Sequence, residues 1–292
     1  MSVVLKLASA CKVNLLLNIL GRRDDGFHEL ETLIHPVPMY DELSLERIGT
    51  GINLSCNDTR LAVDETNLVY RAADAFLKEV KSTEGVRIHL QKNLPIAAGI
   101  GAGSANAGMT LRGLNELWDK PLSDENLYEL ASGLGSDVPF FLQAGPALAL
   151  GRGQKVNPLE SFSALQGVGL LLVNPGFGVS TPWAYQQLGE NSAAFNGEPG
   201  RAQALEGALR QGTLADAANL FYNSLETPVF AKHPVLPVIC DYFRENGAIV
   251  ALMSGSGATI FVLTSSRSEA ETLRAKYHGH FGEAGWSRTV LL

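Results

Sequence analysis

Three glycines alternate at Gly99, Gly101 and Gly103 in a run of small residues, and Ser104 follows directly. Glycine accepts positive φ and lets a ligand lie directly on the backbone. Apolar–polar alternation over residues 86–90 predicts a strand before this run, and Leu111, Leu114, Leu117 and Trp118 mark one face of a helix after it. Ser104 stands where a helix N-cap belongs. The unit therefore reads strand, glycine loop, helix N-terminus, where free amides and the helix dipole suit an anion such as phosphate. The run matches neither G-x-x-x-x-G-K-[ST] nor G-x-G-x-x-G, because Asn106 occupies the last glycine position of the second pattern. The acid that pattern places about twenty residues on would be Asp119, in a stretch that reads as a helix end. From the residues alone, a phosphate cradle and a tight structural loop both stand.

Two charged residues sit among apolar neighbours. Asp137 is followed directly by Val138, Pro139, Phe140 and Phe141. It is either a turn or cap aspartate, or a partly desolvated carboxylate whose pKa rises unless a cation lies near. Lys12 opens an apolar strand, either as an edge lysine that snorkels to solvent or as one member of an ion pair. Lys12 beside Asp137 would keep that carboxylate ionised. Asn14, in the same strand, faces a cleft or needs buried partners. Phe27-His28 closes a charged loop, residues 21–30, and suits either stacking on a flat ring or simple tucking of the aromatic. His278 and His280 lack an evident third ligand and read as part of a solvated tail.

The elements that must hold these groups follow from periodicity. Strands are expected at 3–7, 13–19, around 43–45 and 52–54, and at 86–90, with an amphipathic helix at 66–81. A further helix starts at Ser123, which is followed by acids in the first turn, and ends near Gly133. The second half restarts with the continuous apolar run 168–173, suited to a buried strand. A loop at 174–182 opens a helix, with helical segments at 182–188, 201–210, 213–222 and 234–245. Strands at 248–253 and 259–263 flank a second glycine loop containing Gly255, Ser256 and Gly257; a helix at 268–277 and a strand at 288–292 follow. The class is α+β, with mixed or antiparallel sheets and a domain boundary within 155–165.

The totals narrow the function classes. With 292 residues the chain suffices for two ordinary domains and a sizeable core. A formal net charge of −7 argues against a broad grip on nucleic acid. Three scattered cysteines, Cys11, Cys56 and Cys240, give no disulfide framework or zinc spacing. The opening residues lack a basic segment followed by an apolar one, and no long uncharged apolar run occurs. A cytoplasmic, unprocessed protein without a membrane partner is expected.

Three motifs in fixed order now carry a resemblance. Ala10-Cys11-Lys12-Val13-Asn14-Leu15 with the segment from Gly21 to Leu30, the glycine loop, and Met253-Ser254-Gly255-Ser256-Gly257-Ala258-Thr259 together resemble the GHMP kinases (galactokinase, homoserine kinase, mevalonate kinase, phosphomevalonate kinase). The residues around Asp137 and those from Asn174 to Pro182 fit the same pattern. The segment at 21–30 is most similar to the branch that phosphorylates 4-diphosphocytidyl-2-C-methyl-D-erythritol. The resemblance spans nearly the whole chain. It implies a two-domain α+β fold, N-terminal 1–158 similar to the second domain of ribosomal protein S5 and C-terminal 159–292 ferredoxin-like, with the active site in the cleft between them. It also implies transfer of the ATP γ-phosphoryl, with Mg2+, to the 2-hydroxyl of the cytidine-diphosphate-linked methylerythritol, in the non-mevalonate route to isoprenoids.

Residue by residue, the resemblance makes Asp137 and Lys12 the catalytic pair. Asp137 would orient the hydroxyl and accept its proton, and Lys12 would offset charge on the transferring phosphoryl. Gly99, Gly101, Gly103 and Ser104 would cradle the ATP phosphates, with Lys92 and Pro95 beside the nucleotide. His28 would read the cytosine edge while Phe27 and Tyr185 stack on its faces. Asn14 and Thr181 would lie on the substrate side, and Gly255, Ser256 and Gly257 would form the third-motif loop. Four positions depart from the family pattern: Ala102 and Ala105 replace a serine and a glycine, Gly108 an alanine, and Phe27 a more usual tyrosine. A kinase for another small alcohol, or a nucleotide-binding relative without activity, are the competing readings.

Overall fold

The structure of the protein, a computed structural model, describes residues 3–190 and 197–292. Two compact units form, each discontinuous in sequence. Unit 1 comprises Met1–Cys11, Met39–Pro95 and Gly101–Ala144; unit 2 comprises Lys12–Pro38, Ile96–Ile100 and Gly145–Leu292. Two long strands, β1 (Val4–Arg22) and β2 (His28–Ile48), each contribute residues to both units.

The two short strands expected at 3–7 and 13–19 are thus one strand. Residues 8–12 break the apolar alternation, yet Ser9, Cys11 and Lys12 are buried, so the strand continues through them. The loop expected at 21–30 shrinks to residues 23–27, because both flanking strands extend into it.

In unit 1, β3 (Ile52–Cys56) pairs parallel with β4 (Gly85–Gln91), which pairs antiparallel with the distal half of β2; Ile52 lies opposite Val86 and Glu42 opposite Gln91. Helices α1 (Leu68–Glu79), α2 (Ala102–Leu117) and α3 (Asp124–Leu134) complete it. Asn67 and Ser123 cap α1 and α3 by accepting the Val69 and Asn126 amides. The core joins Leu43, Leu45, Val86 and Ile88 of the strands to Phe76, Leu111 and Leu114 of the helices.

In unit 2, β5 (Ala147–Gly151) and β6 (Lys155–Pro158) form a hairpin on the proximal half of β2. Next come β7 (Gly169–Asn174), α4 (Thr181–Glu190), α5 (Arg201–Gln211), α6 (Leu214–Ala217), β8 (Tyr222–Asn223), α7 (Glu226–Lys232) and α8 (Val235–Glu245). The last elements are β9 (Val250–Met253), β10 (Ile260–Thr264), α9 (Arg267–Phe281) and β11 (Trp286–Leu291). The order β11-β7-β10-β9, antiparallel throughout, is that of a ferredoxin-like sheet with extra helices after its first strand. All six residues of β7 are buried, as a central strand requires.

Two expectations change here. The helix expected at 213–222 stops early, and its end becomes β8, whose Asn223 pairs parallel with Leu17 of β1. His278 and His280 belong to the last turn of α9: His278 Nε2 lies 2.7 Å from Ser287 Oγ, and the His280 ring stacks on Tyr242 with centroids 4.7 Å apart. Among the described residues no helix is long and apolar enough to cross a membrane.

Glu226 opens α7 and accepts the Met253 amide at 2.9 Å. Burial pushes its carboxyl up from the ordinary 4.5 to about 7. Between those pH values the folded chain holds a proton that the unfolded chain releases, so stability falls as pH rises through that window. The full loss is about 3 kcal/mol above it. Glu226→Gln keeps an acceptor for Met253 and carries no charge. Calorimetry should find it several degrees more heat-stable than the parent at pH 8 and nearly equal at pH 5; equal melting at both values removes Glu226 as the cause.

Candidate active site

Parts of the three sequence motifs meet inside unit 2: the β1 residues from Lys12 on, the glycine-loop residues up to Ile100, and the loop from Met253 to Thr259. Lys12 is buried in β1, and its Nζ donates to Asn14 Oδ1 at 2.5 Å and to the Gly99 carbonyl at 3.2 Å. Residues i and i+2 share a strand face, which is how the lysine reaches the asparagine. Asn14 Nδ2 donates to Thr32 Oγ1 at 2.8 Å, and the Thr32 hydroxyl donates to the Leu16 carbonyl at 2.6 Å. The lysine is therefore not a snorkelling edge residue.

Ser254 closes the arrangement. Its Oγ accepts the Asn14 amide at 3.3 Å and donates to the Gly99 carbonyl at 3.0 Å. Gly255 packs against the same atoms: a Cβ there would lie 2.9 Å from Gly99 O, 3.2 Å from Asn14 Oδ1 and 3.4 Å from Lys12 Nζ, at a φ of +57°. Only glycine fits so close an approach in that conformation. Gly257 donates its amide to Ser254 O at 3.0 Å, and Thr259 donates to Ala98 O at 3.1 Å, lacing the second glycine loop to the first. Ser256 Oγ lies 2.7 Å from Thr181 Oγ1.

The aromatic candidates also lie in unit 2. Phe27 is 49% exposed, with the Arg152 guanidinium 4.8 Å from its ring centroid. His28 is buried, and its ring lies 5.3 Å from that of Tyr185 on α4. Burial, aided by the charge of Arg22, lowers the His28 pKa, which favours a neutral imidazole with one donor and one acceptor.

Unit 1 holds the remaining candidates. Lys92 Nζ donates to Asp41 Oδ2, and both side chains are nearly fully buried. Asp41 also accepts the amides of Asn93 at 2.8 Å and Leu94 at 3.0 Å, and Asn106 Nδ2 at 3.1 Å. It thereby fixes the segment that enters the glycine loop, just before Pro95, and ties it to α2. Nothing around Asp41 in the sequence signals this; its partners lie 51 to 65 residues away.

Ser104 is not the N-cap. Helix α2 begins at Ala102, and Gly101, in the left-handed region at φ 66°, occupies the cap without a side-chain bond. Ser104 is the third helical residue, next to Gly103. The first intrahelical bond runs from Ala105 N to Gly101 O at 2.9 Å, so the amides before it have no carbonyl one turn back within the helix. Such an end favours an anion. Asp137 lies in the turn between α3 and a short 3-10 helix, Pro139–Leu142. Gly108 of α2 faces that turn: a Cβ there would be 3.0 Å from Phe141 Cβ and 3.2 Å from Val138 O. The mid-helix glycine, unfavourable by about 1 kcal/mol in isolation, lets the aspartate-bearing turn approach.

Residues 67–145 match the family model of the GHMP kinases N terminal domain, and residues 204–283 that of the GHMP kinases C terminal domain. A 4-diphosphocytidyl-2-C-methyl-D-erythritol kinase of Synechococcus sp. (strain JA-3-3Ab) is 40% identical over 283 residues, covering 95% of this chain and 90% of the relative. One from Pelotomaculum thermopropionicum is also 40% identical, over 94% of each chain. A crystal structure titled 4-(cytidine 5'-diphospho)-2C-methyl-D-erythritol kinase superposes with a TM-score of 0.79 at 34% identity, covering 98% of both chains. With the two domain models in order and relatives of this identity along nearly the full length, the chain belongs to the GHMP kinases.

Proposed function

We propose that this chain is an ATP-dependent kinase that phosphorylates the 2-hydroxyl of 4-diphosphocytidyl-2-C-methyl-D-erythritol, a step in isoprenoid precursor synthesis. The observation that carries the reading is 40% identity, over more than nine-tenths of both chains, to relatives bearing that kinase name. In sequence terms the domains are 1–158 and 159–292, a division supported by one family match falling on each side.

Asp137 orients the acceptor hydroxyl and takes its proton as the oxygen bonds to the γ-phosphorus and ADP leaves. Lys12 offsets the charge that spreads over the phosphoryl oxygens. Asn14 and Gly99 hold its ammonium in place, which costs no reorganisation during the reaction. Gly101, Gly103 and Ser104 at the start of α2 take the ATP phosphates, with Lys92 and Pro95 nearby. Thr181, paired with Ser256, sits on the acceptor side. Among the described residues no three of His, Cys, Asp and Glu gather into a metal cage. Mg2+ bound with the nucleotide would neutralise part of the triphosphate charge.

The test is ATP turnover on the cytidylated substrate; a folded protein that leaves it unphosphorylated overturns the reading. Phe27 and Tyr185 stack the cytosine and His28 reads its edge, so Phe27→Ala with His28→Ala should raise KM for this substrate roughly tenfold or more. An unchanged KM would point to a kinase for another small alcohol.

A further inference from the structure

We propose that Asn223, which lies outside all three motifs, is a positioning residue for phosphoryl transfer: it clamps the third-motif loop to the strand that carries Lys12 and Asn14. The inference rests on the kinase reading above. Asn223 is buried, and its Nδ2 donates to the carbonyls of Met253 at 2.7 Å and Gly255 at 2.8 Å. Carbonyl oxygens only accept, so the amide orientation is fixed by its neighbours. Its Oδ1 accepts the Leu225 amide at 2.9 Å. Both donors and the acceptor of this side chain are thus engaged, two of them by the glycine loop.

The backbone of the same residue is registered on β1, opposite Leu17. Ser224 locks that register: its amide donates to Leu17 O at 2.9 Å, and its Oγ accepts the Ile19 amide at 2.9 Å. On the other side, Glu226 accepts the Met253 amide. The loop between Met253 and Gly257 is therefore gripped from one short segment, residues 223–226. Through Ser254 Oγ the grip extends to the Asn14 amide and the Gly99 carbonyl, the latter being a ligand of the Lys12 ammonium. A loop with glycines at 255 and 257 has little stiffness of its own. Its placement to a fraction of an ångström comes from these bonds, and misplacement by about 1 Å costs on the order of 100-fold in rate.

Asn223→Asp is nearly isosteric and keeps the acceptor for Leu225 while losing both donors; Asn223→Ala removes all three bonds. With ATP and the cytidylated substrate, each should lower kcat at least tenfold and leave KM for that substrate within about twofold, since the cytosine clamp is elsewhere. A kcat equal to the parent's per folded molecule, with only a lower melting temperature, overturns the inference. A second measurement needs no variant: in the parent, the Gly257 amide, bonded to Ser254 O, should exchange with deuterium as slowly as the buried amide of Ser224. Fast exchange at Gly257 also overturns it. A parent inert toward the substrate overturns the kinase reading instead, and the exchange result then decides the clamp by itself.

Discussion

Lys12→Met is expected to lower kcat by about 100- to 1,000-fold, the range seen when one preorganised charge or donor is removed from a developing anion. The lysine is 3% exposed and bonded to Asn14 Oδ1 and Gly99 O, so its ammonium is fixed before substrate arrives. Methionine is similarly unbranched and fills the space, so the core of unit 2 should survive. Asn14 Oδ1 then loses the lysine donor, at a cost of about 1–3 kcal/mol, and the melting temperature should drop modestly. Lys12→Arg should not rescue the rate, because a planar fork cannot replace a compact ammonium between Asn14 on its own strand face and the Gly99 carbonyl of the glycine loop. Steady-state kinetics with both substrates checks this; a kcat within about threefold of the parent would remove Lys12 from the chemistry.

What made Lys12 conspicuous was its residue type: a charge in an apolar alternation demands a partner. The sequence offers Asp137 as that partner; the bond to Asn14, though local at i and i+2 on one strand face, is not signalled by the residue types. Gly99 and Ser254 are not signalled either, because their approach to β1 is tertiary, 87 and 240 residues away in sequence. The same division runs through the molecule. Helix α1 was legible from its apolar stripe, α3 from its capping serine and the acids that follow, and β7 from its continuous apolar run. The short β8 was not, since two residues carry no period and the pairing that defines it comes from β1. Ser104 was misplaced because serine is the commoner cap, whereas here a left-handed glycine starts the helix three residues sooner. Asp41 and Asn223, each holding a loop by several bonds, stand in unremarkable sequence; their roles exist only once distant backbone groups arrive.

The glycines that first marked the site make opposite predictions when changed to alanine. Gly99 has φ +79°, and a Cβ there would lie 2.1 Å from Ser254 O and 2.8 Å from Gly257 N. Left-handed backbone costs an alanine about 1–2 kcal/mol, and pushing the Ser254 backbone away costs about 1–3 kcal/mol more. Gly99→Ala should therefore melt many degrees lower. It should also lose on the order of 100-fold in kcat, because the Gly99 carbonyl that moves is the acceptor for both Lys12 Nζ and Ser254 Oγ. Gly103 is helical, and a Cβ there would meet only Leu68 Cδ1, at 3.9 Å. Gly103→Ala should be as stable as the parent or better, by up to about 1 kcal/mol. Nothing in the fold requires glycine at 103, so its value must lie in the ligand: a triphosphate lying on this backbone would meet the new methyl group. KM for ATP should then rise about tenfold at unchanged melting temperature, about 1.4 kcal/mol of lost binding. If Gly103→Ala takes ATP as well as the parent does, the phosphates lie elsewhere along the loop and Gly101 with Ser104 must hold them.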